Sequence, residues 1–235
     1  MPPCGFFAPE INPATLRKAM QYPIKRFKSL KIALKELEPF VRNPEHLQTG
    51  RPFSNFGGLR SRELLGNWLL CVAVNSMFPP DRLTFTSDPL EGDGIICDNV
   101  TGKTWQTEHV FVPSVHGSEV AAVEVLVLKA IKKKHSKGGA AYASGKTLVV
   151  FLDVGGGTWY PNRVAKQLPK PLHFEAVWVV GLQAVEAGDY VYAVTRLDLT
   201  LGNAPAWRVR IGKDFDEWAV DPLPESQLSE EAPNS

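Results

Sequence analysis

Apolar positions along the chain follow two periods, and their order predicts the architecture. Ile24, Phe27, Leu30, Leu34 and Leu37 recur every three or four residues between lysines, which predicts an amphipathic helix over 24–41. Asn12-Pro13 opens a shorter helix over 13–20. Residues 48–58 are rich in Gly, Pro, Ser and Asn and read as loop. Leu64, Leu65, Trp68, Leu69, Val72 and Ala73 give a wide apolar face to a helix over 61–77, which Pro79-Pro80 stops. Three strands are expected near 82–87, 93–98 and 103–112. A long helix over 118–136 has Ser118 as its N-cap and a lysine cluster beside Gly138-Gly139 at its C-terminus. Leu148 to Leu152 show no alternation, as in a strand buried on both faces, here 147–154. A short helix over 161–168 and a second buried strand over 174–180 follow. Residues 190–199 and 207–211 are expected as edge strands. A meander that crosses through a helix into a buried strand requires a mixed central β-sheet flanked by helices, an α/β fold.

Composition divides this plan. The net charge is only +1, but residues 1–60 carry ten Lys/Arg against four Asp/Glu, while 214–235 carry seven Asp/Glu and no Lys/Arg. We therefore expect a helical extension over 1–59, an α/β core over 60–212 and an acidic, disordered tail over 213–235. A basic N-terminal face with Lys25, Arg26, Lys28 and Lys31 suits a phosphate backbone. The longest apolar run, 69–74, is far too short to span a bilayer, and the N-terminus has prolines in place of a signal-peptide core. Three cysteines without CxxC spacing, Cys4, Cys71 and Cys97, suggest buried thiols in a reducing cytoplasm.

The chemistry concentrates in one hairpin. Gly92-Asp93-Gly94-Ile95-Ile96-Cys97-Asp98 forms its first strand, Asn99 to Gly102 its turn, and Lys103 to Val110 the start of its second strand. Asp93 opens the first strand and Glu108, fifteen positions on, lies within the second. A glutamate amid aromatic and β-branched strand residues is disfavoured unless it has a task. Gln106, Glu108 and Val110 share one face, and Trp105, Thr107, His109 and Phe111 the other. Two acids joined by a hairpin can hold a divalent cation.

This hairpin, between the 61–77 helix and the 118–136 helix, resembles the αβββαβ core of the PD-(D/E)XK, or restriction-endonuclease-like, nuclease superfamily. The resemblance covers roughly residues 60–182. It implies Mg²⁺ (or Mn²⁺) held by Asp93, Glu108 and the His109 backbone carbonyl. The implied reaction is hydrolysis of a phosphodiester, with DNA as the partner. It also implies an assisting Glu63 on the preceding helix, one turn before Asn67. The motif lysine is missing, because Val110 stands two residues after Glu108. The resemblance then points to a lysine displaced onto the following helix, where Lys129, Lys132, Lys133 and Lys134 are available. Lys129 and Lys133, which share a face, are the expected pair. The alternative is a non-catalytic nucleic-acid-binding or scaffold protein on the same fold.

Other signals point elsewhere. Asp153-Val154-Gly155-Gly156-Gly157-Thr158 resembles the phosphate turn of actin/Hsp70-type ATPases, but the chain has no second phosphate loop. His109, His116 and His135 lack zinc-site spacing, and His109 is expected to pack on the sheet. Trp159 is expected either to lie exposed and stack on a base or to anchor its loop.

Overall fold

The computed structural model describes residues 29–49, 57–78, 82–88, 92–114, 122–153, 159–198 and 203–224. Its helices are α1 (Leu30–Arg42), α2 (Pro44–Thr49), α3 (Ser61–Asn75), α4 (Val123–Ser136), α5 (Gly139–Ala143) and α6 (Pro161–Lys166). Its strands are β1 (Leu83–Thr86), β2 (Ile95–Asp98), β3 (Thr104–Val112), β4 (Lys146–Leu152), β5 (Ala176–Glu186), β6 (Asp189–Leu197), β7 (Ala206–Ile211) and β8 (Trp218–Pro222). All eight strands form one sheet in chain order. β3, β4 and β5 run parallel, and every other neighbouring pair is antiparallel. The protein is thus α/β, with a mixed, curled eight-stranded sheet.

The curl exists because α3 is apolar all round and must be covered on every side. Leu64, Leu65, Trp68, Leu69 and Cys71 have no exposed surface. α3 packs on β1 at one end of the sheet and on β5, β6 and β7 further round. The ring of Trp218, on β8, meets Trp68 edge-on with centroids 5.4 Å apart. α1 closes the remaining side with Leu30, Ala33, Leu34, Leu37 and Val41. Its Leu30 carbonyl accepts the Trp68 indole N–H at 2.8 Å. On the outer face, α4 and α6 bury Val127, Ile131, Val164 and Ala165 against Leu148, Val150, Val177 and Val179. β4 has a core on each side, with Val149 and Phe151 facing α3 and Leu148, Val150 and Leu152 facing α4. That explains its unbroken apolar run.

Several expectations change. β6 and β7 are interior strands, not edges, because β8 pairs along β7 from Trp207↔Pro222 to Ile211↔Trp218. Residues 213–235 are therefore not wholly a tail. Asp216, Glu217 and Asp221 are exposed, while Trp218 and Val220 between them pack on the core, so strand alternation hides within an acidic composition. The 1–59 segment is likewise no mere extension, since α1 shares the core of α3. α4 starts at Val123 after Ala122; the Ser118 cap, the helix over 13–20 and the glycines 155–157 lie outside the described residues. Trp159 is half-buried against the α4–α6 core. Among the described residues, no helix is long and apolar enough to cross a membrane.

Candidate active site

A cleft of about 620 Å³ opens where β2 and β3 diverge beside the N-terminus of α3. Asp93, Glu108, Glu63 and Asp88 line it together with Arg60, Arg62, Lys134 and Lys137. The hairpin thus brings the two expected acids into one cavity.

Asp93 sits two residues before β2 and turns its carboxylate to the edge of β3, where Oδ2 accepts the His109 N–H at 2.6 Å. Gly94 makes that turn possible. Its φ is +130°, and a Cβ there would lie 2.4 Å from the Asn67 amide nitrogen. Asn67, fully buried on α3, donates to the Asp93 carbonyl at 3.0 Å. Its Oδ1 therefore faces His109 Nε2, at 3.1 Å, as acceptor, which makes Nε2 the protonated ring nitrogen. Gly66 leaves room for that ring, since a Cβ would stand 2.9 Å from His109 Cε1. Asn67 thus holds the Asp93 carbonyl and the His109 amide its carboxylate. His109 is buried, and desolvation drives its pKa down to about 3.

Glu108 leaves β3 on the opposite face, toward α4. It forms an ion pair with Lys134, both side chains mostly buried. Burial is the largest single influence on Glu108 and raises its pKa, but Lys134, Tyr142 and Lys146 together hold it below the usual carboxylate value. Asp93 is displaced the other way. Burial is the main cause, and the Glu108 charge adds to it, so the two carboxylates sense each other. Glu63 is also raised, by burial and then by Asp93, against the pull of the Arg60 N–H that its Oε2 accepts at 2.8 Å. It closes the first turn of α3 from inside the cleft. A solvated Glu63–Asn67 surface pair is excluded by the burial of both residues.

The lysine of the 129–134 cluster that reaches Glu108 is Lys134. Lys129 and Lys133, the expected pair, are exposed on the outward side of α4. The reason is helical phase: Val127 and Ile131 face the sheet, and the next position on that line is 134. The apolar stripe carried this signal, which an i,i+4 pairing of lysines overlooked. Lys31 is exposed on α1, and Lys25, Arg26 and Lys28 lie outside the described residues. Sequence reasoning also missed Asp88, whose Oδ2 accepts the Gln106 amide at 3.0 Å, and Tyr142. The Tyr142 hydroxyl is buried and approaches Glu108 without completing a well-formed hydrogen bond; burial and that carboxylate raise its pKa. Its ring lies under Lys137 and Lys146. Arg62 is held by the Leu47 and Gln48 carbonyls and stacks on Phe111.

The donor set suits a hard cation only in part. Among the described residues, no three His, Cys, Asp or Glu side chains converge closely enough to form a metal cage. Two carboxylates remain, with the His109 carbonyl, which leaves the strand on the same edge as the N–H bound to Asp93. Such an open oxygen set fits Mg²⁺, which keeps several waters and takes one or two carboxylates, better than it fits Zn²⁺.

Comparisons with protein-family models, with curated proteins and with solved structures found no match to this chain.

Proposed function

We propose that the chain is a divalent-metal-dependent phosphodiester hydrolase of the PD-(D/E)XK type acting on DNA. The observation that carries this reading is the Lys134–Glu108 pair beside Asp93. A lysine stands at the second acid although Val110 vacates its usual place in the motif. The order α3-β1-β2-β3-α4-β4, with β4 parallel to β3, agrees with the αβββαβ core. Asp93, Glu108 and the His109 carbonyl hold Mg²⁺ or Mn²⁺ in this reading. Bound there, the cation supplies charge neutralisation at the phosphate and a nucleophile at neutral pH. Asp93 is kept in place by the His109 amide and the Asn67 side chain. The Lys134 ammonium donates hydrogen bonds to an oxygen of the reacting phosphate, where negative charge grows in the transition state. Arg60, Arg62 and Lys137 face the same cleft and bind flanking phosphates. Glu63, less ready to ionise than a surface carboxylate, orders water at the back of the cleft.

Cleavage of supercoiled plasmid DNA tests the proposal. The native protein nicks or linearises plasmid with Mg²⁺ or Mn²⁺ and not with EDTA. Asp93→Asn and Glu108→Gln abolish the product while the circular dichroism spectrum is unchanged. Activity that survives both substitutions ends the hydrolase reading. Mn²⁺ binding that needs Glu108, with no cleavage of DNA, assigns the chain to the non-catalytic alternative.

A further inference from the structure

Positive charge is concentrated on one face. Residues 122–175 hold nine Lys/Arg and three Asp/Glu, whereas the chain as a whole is +1. Within that span, Lys129, Lys133 and Lys137 follow one another at i, i+4 and i+8 along α4 and its C-cap, which keeps helical dihedrals (φ −63°, ψ −26°). All three are exposed. Their spacing places them on one stripe with about 6 Å of rise between neighbours. The last of them, Lys137, lines the cleft. The single acid of α4, Glu124, is turned away and accepts the Tyr160 N–H at 2.8 Å. Lys132 lies on the outer surface of the same helix, and exposed Arg163, Lys166 and Lys170 extend the charge onto α6 and the loop after it. His135, bonded to the Pro171 carbonyl and stacked on His173, ties that loop to α4.

We propose that the Lys129–Lys133–Lys137 ridge is the track on which the phosphate backbone of a DNA duplex lies as it enters the cleft. This rests on the hydrolase reading for its direction, since the ridge runs toward the Asp93–Glu108 pair. The occupant follows from charge complementarity. A regular line of exposed lysines fits a regular polyanion and gives affinity through counterion release. It also moves the binding surface from the N-terminal basic segment to α4.

Fluorescence anisotropy with a labelled DNA duplex in EDTA separates binding from cleavage. The triple variant Lys129→Gln, Lys133→Gln, Lys137→Gln is expected to bind at least tenfold more weakly at low salt. The slope of log K against log salt should become shallower by about 0.9 for each phosphate that is no longer neutralised. All three side chains are exposed, so the fold persists, which circular dichroism checks. Lys103→Gln, at the exposed β2–β3 turn, is expected to bind as the native protein does. Native affinity and slope in the triple variant overturn the proposal, as does an equal weakening in Lys103→Gln or a native protein that does not bind the duplex. Duplex binding that needs the ridge, without metal-dependent plasmid cleavage, leaves the track standing and removes the hydrolase reading. Cleavage untouched by the triple variant does the reverse.

Discussion

His109 lies directly beneath the acid pair, and its neutrality links the cleft to stability. In the unfolded chain it takes a proton near its ordinary value of about 6.5; in the folded protein it resists until about 3. Between those values the unfolded state binds more protons, so stability falls as pH drops, by at most about 1.4 kcal/mol per pH unit. Asp93 and Glu63 act in the opposite sense. Their folded pKa values are raised, so their contribution is present at low pH and is lost as pH rises through the raised values. The difference between two proteins isolates the histidine. Urea unfolding of the native protein and of His109→Gln, whose amide can still donate to Asn67, should give stabilities that separate progressively from pH 6.5 toward pH 4, with the native protein losing more. Parallel profiles would show that His109 is not buried neutral. At this scale the sequence displayed Asp93 and Glu108, because a charged residue in an otherwise apolar strand is conspicuous. Glu63 entered only through the family resemblance and Asn67 only as its neighbour one turn on, since a polar residue on a helix looks the same whether it faces water or a partner brought in from 26 positions away.

A helix converts position into direction, and α4 shows what that does for the site. Val127, Ile131 and Lys134 lie on one line, so the apolar stripe that docks the helix also aims one lysine at β3. Lys129 and Lys133 fall on the opposite side, where they meet solvent. Val110, two residues after Glu108, is half-buried on the same face of β3 and in contact with the α4 core. Strand and helix thus approach one point from two sides, and either could supply the ammonium. Lys134→Ala should reduce DNA cleavage by two orders of magnitude or more, about the loss expected for one charge-stabilising donor. Adding Val110→Lys to that variant should restore at least a tenth of the native rate, since the lysine stem can lie along the apolar surface and raise its head into the cleft. Plasmid cleavage rates for the native protein and both variants check this. A Lys134→Ala protein of full activity would remove the lysine from the mechanism.

The molecule as a whole is held by one buried helix and the sheet wrapped around it, and the wrapping ends in the segment whose composition looked least structured. The core elements from α3 to β5 were legible because hydrophobic period, turn residues and element length agreed there. The closure was not: β8 is short, acidic on its outward side, and recognisable only through Trp218 and Val220 facing in. Its neighbours looked like edges for the same reason, since an alternating strand cannot announce whether its far side is paired. The turn into β8 is anchored by Phe215, which has no exposed surface and holds φ at +53°, with Tyr190 at 5.5 Å and the Arg42 guanidinium of α1 over its ring. Lys35 and Arg42 of α1 add hydrogen bonds to the Asp214 and Lys213 carbonyls. Phe215 therefore joins α1, β6 and the β7–β8 turn across a gap of more than 170 positions. Phe215→Ala should cost about 3–5 kcal/mol, the range for emptying a buried aromatic site. Deleting 214–235 should do more, because it removes β8, uncovers Trp68 and leaves β7 as an unprotected edge. Denaturant unfolding of the native protein, Phe215→Ala and a chain ending at 213 measures both effects. If these residues are the clasp that keeps the sheet around α3, the shortened chain loses its cooperative transition; native stability in that chain would place the closure elsewhere.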